Sequence, residues 1–395
     1  MTLTPMSSDG VTRLNFLYAN IGRGHPYYLD GIVECLPADR VGSVTDVFAA
    51  TSGLARSAWS LARSVYHAAG RGRAYSAFYN RLRARGDYNR GGLVLGVIGR
   101  PLRRLYVEDP TPLVVAHPIL AAILSDKPAL FYQHGEIAAP RESWVRGRHR
   151  VLVPLSQTAD AFLAEGFASE SLFVSGLCIE PGLVRQAEDA FNARLDRLAG
   201  SGPLCGAFFS SGAEPREHVA SLAIAAASAV AAGGRALVFA RRGRALAARL
   251  SGVFAERRMD LEQVESADGL AAGAPQAVLC LYGGRRELNQ LTERLFRSVD
   301  YFVAPSHERT NWALGLGLPM FVVDPPLGSF SPLNREFLLA NRVARAVDNQ
   351  RAAASFGQTL GKLHEAGELR AMAEAGWGRF ETRGFFNIAE MLLWP

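Results

Sequence analysis

The sequence predicts an α/β protein built as two Rossmann-like domains facing a cleft. Three observations carry that reading. Short apolar runs of strand length alternate with longer helical stretches along the chain. The first such run, Arg13–Ala19, ends in a glycine turn, Asn20-Ile21-Gly22-Arg23-Gly24-His25-Pro26, which opens a helix. A Gly/Ser break, Ala199-Gly200-Ser201-Gly202, then splits the alternation into two halves of similar size. Strands joined through helices belong to parallel sheets, and such sheets bind ligands beyond the carboxyl ends of their strands. Two of them facing each other would make a deep site.

In order, a helix over Tyr27–Cys35 leads to a second predicted strand at Val41–Val47. Leu113–Ala116 is a third, and His117-Pro118 opens a helix over Ile119–Leu124, since proline is tolerated in a first helical turn. Strands at Ala129–Tyr132, Val151–Val153 and Leu172–Ser175 follow, with a helix over Thr158–Glu165 that Gly166 stops. Glu180–Gly202 reads as helical and charged. The second half places strands at Leu204–Phe209, Ala236–Ala240, Ala277–Leu281, Tyr301–Val303 and Met320–Val323, with a helix at Val219–Ala232 among the connections. Glu368–Pro395 is mostly helical and is expected to cross back onto the first domain.

The composition fits a globular protein and excludes a mainly disordered chain: of 395 residues, 49% are hydrophobic and 20% charged. No apolar run approaches the roughly 20 residues of a spanning helix. The opening MTLTPMSSDGVTRLNF lacks the basic stretch and apolar core of a secretory signal. Cys35, Cys178, Cys205 and Cys280 lie far apart with no CxxC pair, so neither a metal site nor a disulfide framework is expected, and a reduced cytoplasmic setting is the simplest reading.

The net charge of +6 is unevenly spread. Residues 55–105 carry 11 arginines and one acid, Asp87. Trp59, Tyr66, Tyr75, Phe78, Tyr79 and Tyr88 are interleaved with them, and Tyr106 follows. Arginines among aromatics suit an anionic surface, either lipid headgroups or nucleic acid; the alternative is a solvated helix face. No recognition motif points to nucleic acid.

The candidate chemistry sits where strands end. Gly22-x-Gly24-His25 lets the backbone turn tightly and approach a ligand, and the following helix offers N–H groups to an anion or a developing charge. It is neither a phosphate-binding Lys-Ser/Thr loop nor a full dinucleotide fingerprint. His25 is a candidate general base, or a solvent-facing residue of a tight turn. His134 and Glu136 in Tyr132-Gln133-His134-Gly135-Glu136 are a candidate acid/base or orienting pair, or a polar loop. His117 reads equally as a helix cap or a ligand contact. In the second half, Ser210-Ser211-Gly212 could cradle phosphate, and Arg241 within Arg241-Arg242-Gly243-Arg244 could pair with a diphosphate.

The most distinctive stretch runs from Tyr301 to Arg335. A strand leads to Pro305-Ser306-His307-Glu308, a short helix ends in Gly315-Leu316-Gly317-Leu318-Pro319, and a strand ends at Asp324-Pro325-Pro326 ahead of Asn334. This resembles the donor half of GT-B glycosyltransferases, in particular the group of monogalactosyldiacylglycerol synthase, processive diacylglycerol glucosyltransferases and the peptidoglycan lipid-intermediate N-acetylglucosaminyltransferase. Gly22-Arg23-Gly24-His25, Val114–Leu120 and Val151–Pro181 resemble motifs of the same group, so the resemblance spans nearly the whole chain. Ser306-His307 stand where the group has Gly-Gly, and Asn311-Trp312 where it has a ribose-binding Glu.

The resemblance implies an inverting, metal-independent transfer of a sugar from a nucleotide diphosphate donor, a UDP-sugar first, to a hydroxyl of a lipid-like or small-molecule acceptor. No cofactor beyond that co-substrate is implied. The expected organisation is an acceptor domain over 1–185, a connection over 186–202, a donor domain over 203–370 and a helical segment over 371–395. Residues 55–105 would dock on an anionic membrane surface, the inner face for a cytoplasmic protein. His25 would be the base, with His134 as its rival. Ser210, Ser211, Gly212, Arg241, Ser306, His307, Glu308, Thr310, Asn311 and Asn334 would bind the donor, and Gly22 and Gly24 would lie at the acceptor. A soluble acceptor, or a GT-B shell that binds without turnover, is the alternative.

Overall fold

The computed structural model describes residues 13–21, 24–70, 72–266 and 276–394. They group into two compact units. One holds the described residues up to Ala68 together with Ala77–Pro181 and those from Glu381 onward; the other holds Ala69–Ser76 and Gly182–Phe380.

The first unit is a six-stranded parallel sheet in the order β2-β1-β3-β4-β5-β6. Its strands are β1 (Leu14–Tyr18), β2 (Val41–Asp46), β3 (Leu113–Val115), β4 (Leu130–Gln133), β5 (Arg150–Val153) and β6 (Leu172–Val174). Alternate residues feed two cores, one on each face. Leu14, Phe16, Val114 and Leu152 pack with Tyr28 and Ile32 of the Gly24–Cys35 helix and with Phe385, Ile388 and Leu392 of the last helix, Gly384–Leu393. The C-terminal helix thus returns to the first unit, as the sequence leads one to expect. Leu17, Val115 and Val153 face the other way, onto Trp59, Leu102, Tyr106 and Phe162. β2 stops one residue earlier than expected because Asp46 accepts the Phe48 N–H (3.2 Å) and caps the short Val47–Ala50 helix.

The second unit is a seven-stranded parallel sheet in the order β13-β12-β11-β7-β8-β10-β9. Its strands are β7 (Cys205–Phe209), β8 (Arg235–Arg241), β9 (Glu262–Val264), β10 (Ala277–Tyr282), β11 (Tyr301–Ala304), β12 (Met320–Val323) and β13 (Ala344–Val347). The two strands that the sequence does not announce, β9 and β13, are the sheet's edges. There one face meets solvent, and E-Q-V and A-R-A-V need no apolar run. Most of the 186–202 stretch, expected as a connection, is the Ala187–Ala199 helix grouped with the second unit. Its Arg194 is fully buried and donates to the carbonyls of Val299, Leu316 and Gly317 (3.0–3.1 Å). That arginine fixes the Gly-Leu-Pro turn from behind.

Candidate functional site

Ligands of open parallel sheets bind where the strand order reverses. In the first unit that crevice lies beyond β1 and β3. Gly22 falls outside the described residues. Gly24 and His25 open the Gly24–Cys35 helix at this edge, and Ala116-His117 follow β3. His25 Nδ1–H donates to the Ala116 carbonyl at 2.5 Å, which leaves Nε2 with the lone pair. The ring stacks obliquely on His117, with centroids 4.3 Å apart. Burial pushes His25 down to about 4, the Arg83 charge adds to this, and the Ala116 bond opposes it. His25 is therefore neutral near pH 7. His117 proves to be the cap: its Nδ1 accepts the Ile119 N–H at 3.1 Å.

A Cβ placed on Gly24 would lie 3.6 Å from Glu136 Oε1. The loop after β4 thus brings a carboxylate to the first turn of that helix, whose positive end it compensates. His134 is 3% exposed, enclosed by Tyr132 and Phe162, and its Nε2–H donates to the Ala138 carbonyl (3.0 Å). Burial brings it, too, down to about 4. Of the two rival bases, His25 is half-buried and His134 is enclosed.

The basic segment divides in two. Trp59, Tyr79 and Tyr106 are core residues, contrary to their expected surface role. Arg83 belongs inside as well, because it forms a two-pronged ion pair with Glu142 (2.5 and 2.8 Å), whose side chain is 0% exposed. Leu54, Leu61, Tyr75, Phe78, Val97 and Leu105 are exposed on the Gly53–Ala69, Arg73–Ala84 and Leu93–Tyr106 helices. Arg56, Arg63, Arg81, Arg100 and Arg104 on the same helices are exposed too.

In the second unit the order reverses between β7 and β11, which pair side by side (Phe208 opposite Val303). Ser210-Ser211-Gly212 and Pro305–Thr310 therefore leave the sheet together. The hydroxyls of Ser210 and Ser211 are buried and make no hydrogen bond with the described residues. Arg244 donates to the Gly212 carbonyl (2.8 Å) and ties the loops after β7 and β8. Arg242 pairs with Glu287 (2.5 Å) and Glu265 (3.3 Å), while Arg241 is exposed.

After β11, Ser306 is held by Ser331 and Asn334. Ser306 Oγ donates to the Ser331 carbonyl (2.8 Å) and Asn334 Nδ2 donates to the Ser306 carbonyl (3.2 Å), which ties this loop to the Phe330–Ala340 helix. Glu308 pairs with Arg309 (3.2 Å), whose guanidinium lies over the Phe209 ring at 4.1 Å. Thr310 and Asn311 are buried in the Thr310–Gly315 helix. Trp312, at the position where the resemblance leads one to expect a carboxylate, packs against Phe209, Phe296 and Phe302. Of the residues expected to hold a donor, Ser210, Ser211 and His307 keep buried polar atoms without partners; His307 presents Nε2.

Sequence reasoning missed three features. His218, in the Arg216–Ala231 helix, is fully buried; its Nε2–H donates to the Pro325 carbonyl (2.7 Å) and its Nδ1 has no partner. Arg309 stands between two expected donor residues, and nothing local marks an arginine there as stacked on a distant ring. The Arg83–Glu142 pair joins residues 59 apart and leaves no local pattern. Among the described residues no cluster of side chains could hold a metal ion, and no helix is long and apolar enough to cross a membrane.

No protein-family model matches the chain, and no curated protein matches it. Solved structures do. The UDP-GlcNAc 2-epimerase from Neisseria meningitidis bound to UDP-GlcNAc aligns with a TM-score of 0.56 at 10% identity, over 97% of this chain and 98% of that one. A putative UDP-N-acetylglucosamine 2-epimerase from Listeria monocytogenes aligns with a TM-score of 0.56 at 12% identity, over 97% and 95%. The spinosyn rhamnosyltransferase SpnG aligns with a TM-score of 0.51 at 13% identity, over 96% and 100%. At such identities the likeness is one of fold. The chain is a GT-B-fold protein with two Rossmann-like units.

Proposed function

We propose that this protein is an enzyme of nucleotide diphosphate sugars that transfers the sugar, with inversion and without a metal, to a hydroxyl of a lipid-like acceptor. The observation that carries the reading is His25: a neutral imidazole at the reversal point of the first sheet, pinned through Nδ1 so that Nε2 keeps its lone pair. In a single displacement the acceptor oxygen bonds to the anomeric carbon and its proton passes to Nε2. The carbon–oxygen bond to the diphosphate breaks, and the electron pair leaves with the diphosphate. Glu136, beside the same turn, stabilises the imidazolium that forms. Ser210, Ser211, Gly212, Arg241 and His307 at the second reversal point receive the diphosphate, the group whose developing charge most needs donors. A UDP-sugar is the first choice of donor, supported by the family resemblance and by the UDP-GlcNAc bound to the Neisseria fold neighbour.

Exposed leucines and aromatics beside exposed arginines on the 53–106 helices support docking on an anionic membrane, at its inner face for a cytoplasmic protein. Vesicles with and without phosphatidylserine test this. Replacing Leu61, Phe78, Arg81 and Arg104 by Ser should weaken binding at least about tenfold, at about 1 kcal/mol per arginine near such a surface. Unchanged, salt-insensitive binding rejects the membrane docking.

A second reading, sugar-nucleotide 2-epimerisation, is favoured by the carboxylate of Glu136 at Gly24 and by the epimerases among the fold neighbours. One experiment separates the two. The purified protein is given UDP-GlcNAc or UDP-glucose with and without diacylglycerol in mixed micelles, and products are followed by NMR. Transfer requires the acceptor, and His25→Ala should lower it at least about 100-fold with an unchanged melting temperature. A donor altered at C2 without acceptor selects the epimerase. A near-normal transfer rate in folded His25→Ala removes His25 from the chemistry.

A further inference from the structure

At the reversal point of the second sheet, two serines and two histidines each keep a polar atom that makes no hydrogen bond with the described residues. Ser210 Oγ and Ser211 Oγ follow β7, His307 Nε2 follows β11, and His218 Nδ1 stands in the first turn of the helix that follows β7. His218 is 0% exposed, so its bare Nδ1 is a polar atom shut away from water, costly unless something bonds to it. Of the arginines on the neighbouring loops, Arg309 pairs with Glu308 through Nη1, Arg242 with Glu287 and Glu265, and Arg244 with the Gly212 carbonyl, while Arg241 is exposed.

We infer that this site takes the donor's diphosphate by taking up a proton with it, on the His307–His218 imidazole pair. The inference rests on the proposed function and adds how the anion is recognised there. The hydroxyls of Ser210 and Ser211 donate hydrogen bonds to phosphate oxygens. Neutral His218 cannot donate from Nδ1, because its one ring proton is on Nε2 and serves the Pro325 carbonyl. It becomes a donor at both nitrogens only when protonated, and His307 gains its second donor in the same way.

The groups facing the pair are few. Burial opposes protonation of His307 most, Glu308 favours it and Arg309 opposes it; burial brings His218 down to about 4, with the Pro325 bond opposing that shift and His307 adding to it. Without ligand both rings are therefore neutral near pH 7. A diphosphate between them supplies the negative charge that favours the imidazolium. Over the pH range between the free and bound values, binding draws protons from solution, so affinity rises as pH falls.

Calorimetry of UDP-GlcNAc binding in two buffers of different ionisation enthalpy reads the proton count directly. The sugar ester is the right probe because both ends of its diphosphate are esterified and neither titrates between pH 5.5 and 8. The inference expects proton uptake near pH 6.5 and an affinity that rises as pH drops from 8 to 6, by at most tenfold per pH unit for each proton. His307→Gln keeps a hydrogen-bonding amide but cannot titrate. It should lose affinity several-fold at pH 6 and less at pH 8, and it should reduce the uptake. Binding with the same apparent enthalpy in both buffers overturns the inference and leaves the proposed function standing. No binding of any nucleotide sugar overturns both.

Discussion

The two sheets end in the same topological feature and furnish it in opposite ways. At the first reversal point most of the side chains singled out by the sequence are bonded within the chain. His25 donates to Ala116, His117 caps the helix that follows it, His134 donates to Ala138, and the Glu136 carboxylate stands at the first turn of the Gly24–Cys35 helix. At the second, the hydroxyls of Ser210 and Ser211 and a nitrogen each of His218 and His307 lack partners among the described residues. A crevice whose polar atoms are already oriented suits a neutral hydroxyl that must lose a proton, since orientation is what a base contributes. A crevice of unused hydroxyls and of ring nitrogens that can take up a proton suits an anion, which supplies the missing acceptors. The difference is what the proposed division between acceptor and leaving group would need.

The comparison breaks most sharply at the Arg83–Glu142 pair, where the largest loss of stability is expected. Glu142 has a fully buried side chain, and Tyr88 also reaches toward it. Arg83→Met leaves that carboxylate without its cation and should cost about 3–5 kcal/mol in urea unfolding. Arg83→Met combined with Glu142→Gln should recover most of the loss, because no bare charge remains. The Arg83 charge also helps to hold His25 and His117 down, so in the double variant the His25 ring should titrate at higher pH by NMR. If Arg83→Met is as stable as the unaltered protein, the pair is a surface contact, and the first edge depends less on partners from within the chain.

How much of this was legible in the sequence follows from what each element needs. Buried parallel strands such as Val151–Val153 and Met320–Val323 must be apolar on both faces, so they announce themselves. Edge strands β9 and β13 need not be, and they were missed. The glycine turn, the histidines after β1, β3 and β4, and the serines after β7 were visible because strand ends are where ligands bind. What could not be read was who already had a partner. Ser306 and Asn334 bond to each other, and Glu308 is paired with its neighbour. Trp59, Tyr79 and Arg83 turn inward from helices whose other faces do carry exposed arginines. Such commitments depend on residues far away in sequence, as His218 and Pro325 show. An amphipathic helix rich in arginine shows only that one face is buried, not which arginine crosses to it.

A smaller effect tests the same comparison closer to the chemistry. A Cβ added at Gly135 would come within 2.2 Å of the Tyr28 ring, far inside contact distance. Tyr28 is 2% exposed and belongs to the core beneath the Gly24–Cys35 helix, so it has little room to retreat. The loop must therefore give way, and it carries His134 on one side and Glu136 on the other. Gly135→Ala should cost about 1–3 kcal/mol, the usual range for overpacking a core. Because Glu136 is displaced from the Gly24 turn, transfer should fall further than the stability loss predicts, in kcat rather than in donor KM. Gly24→Ala offers the contrast: its Cβ would meet Glu136 Oε1 at an ordinary 3.6 Å, so the fold should tolerate it. Equal losses of rate from the two glycines would mean that the place of Glu136 does not matter. A rate loss confined to Gly135→Ala, with donor affinity intact, would show that the first edge works only as furnished while the second binds independently of it.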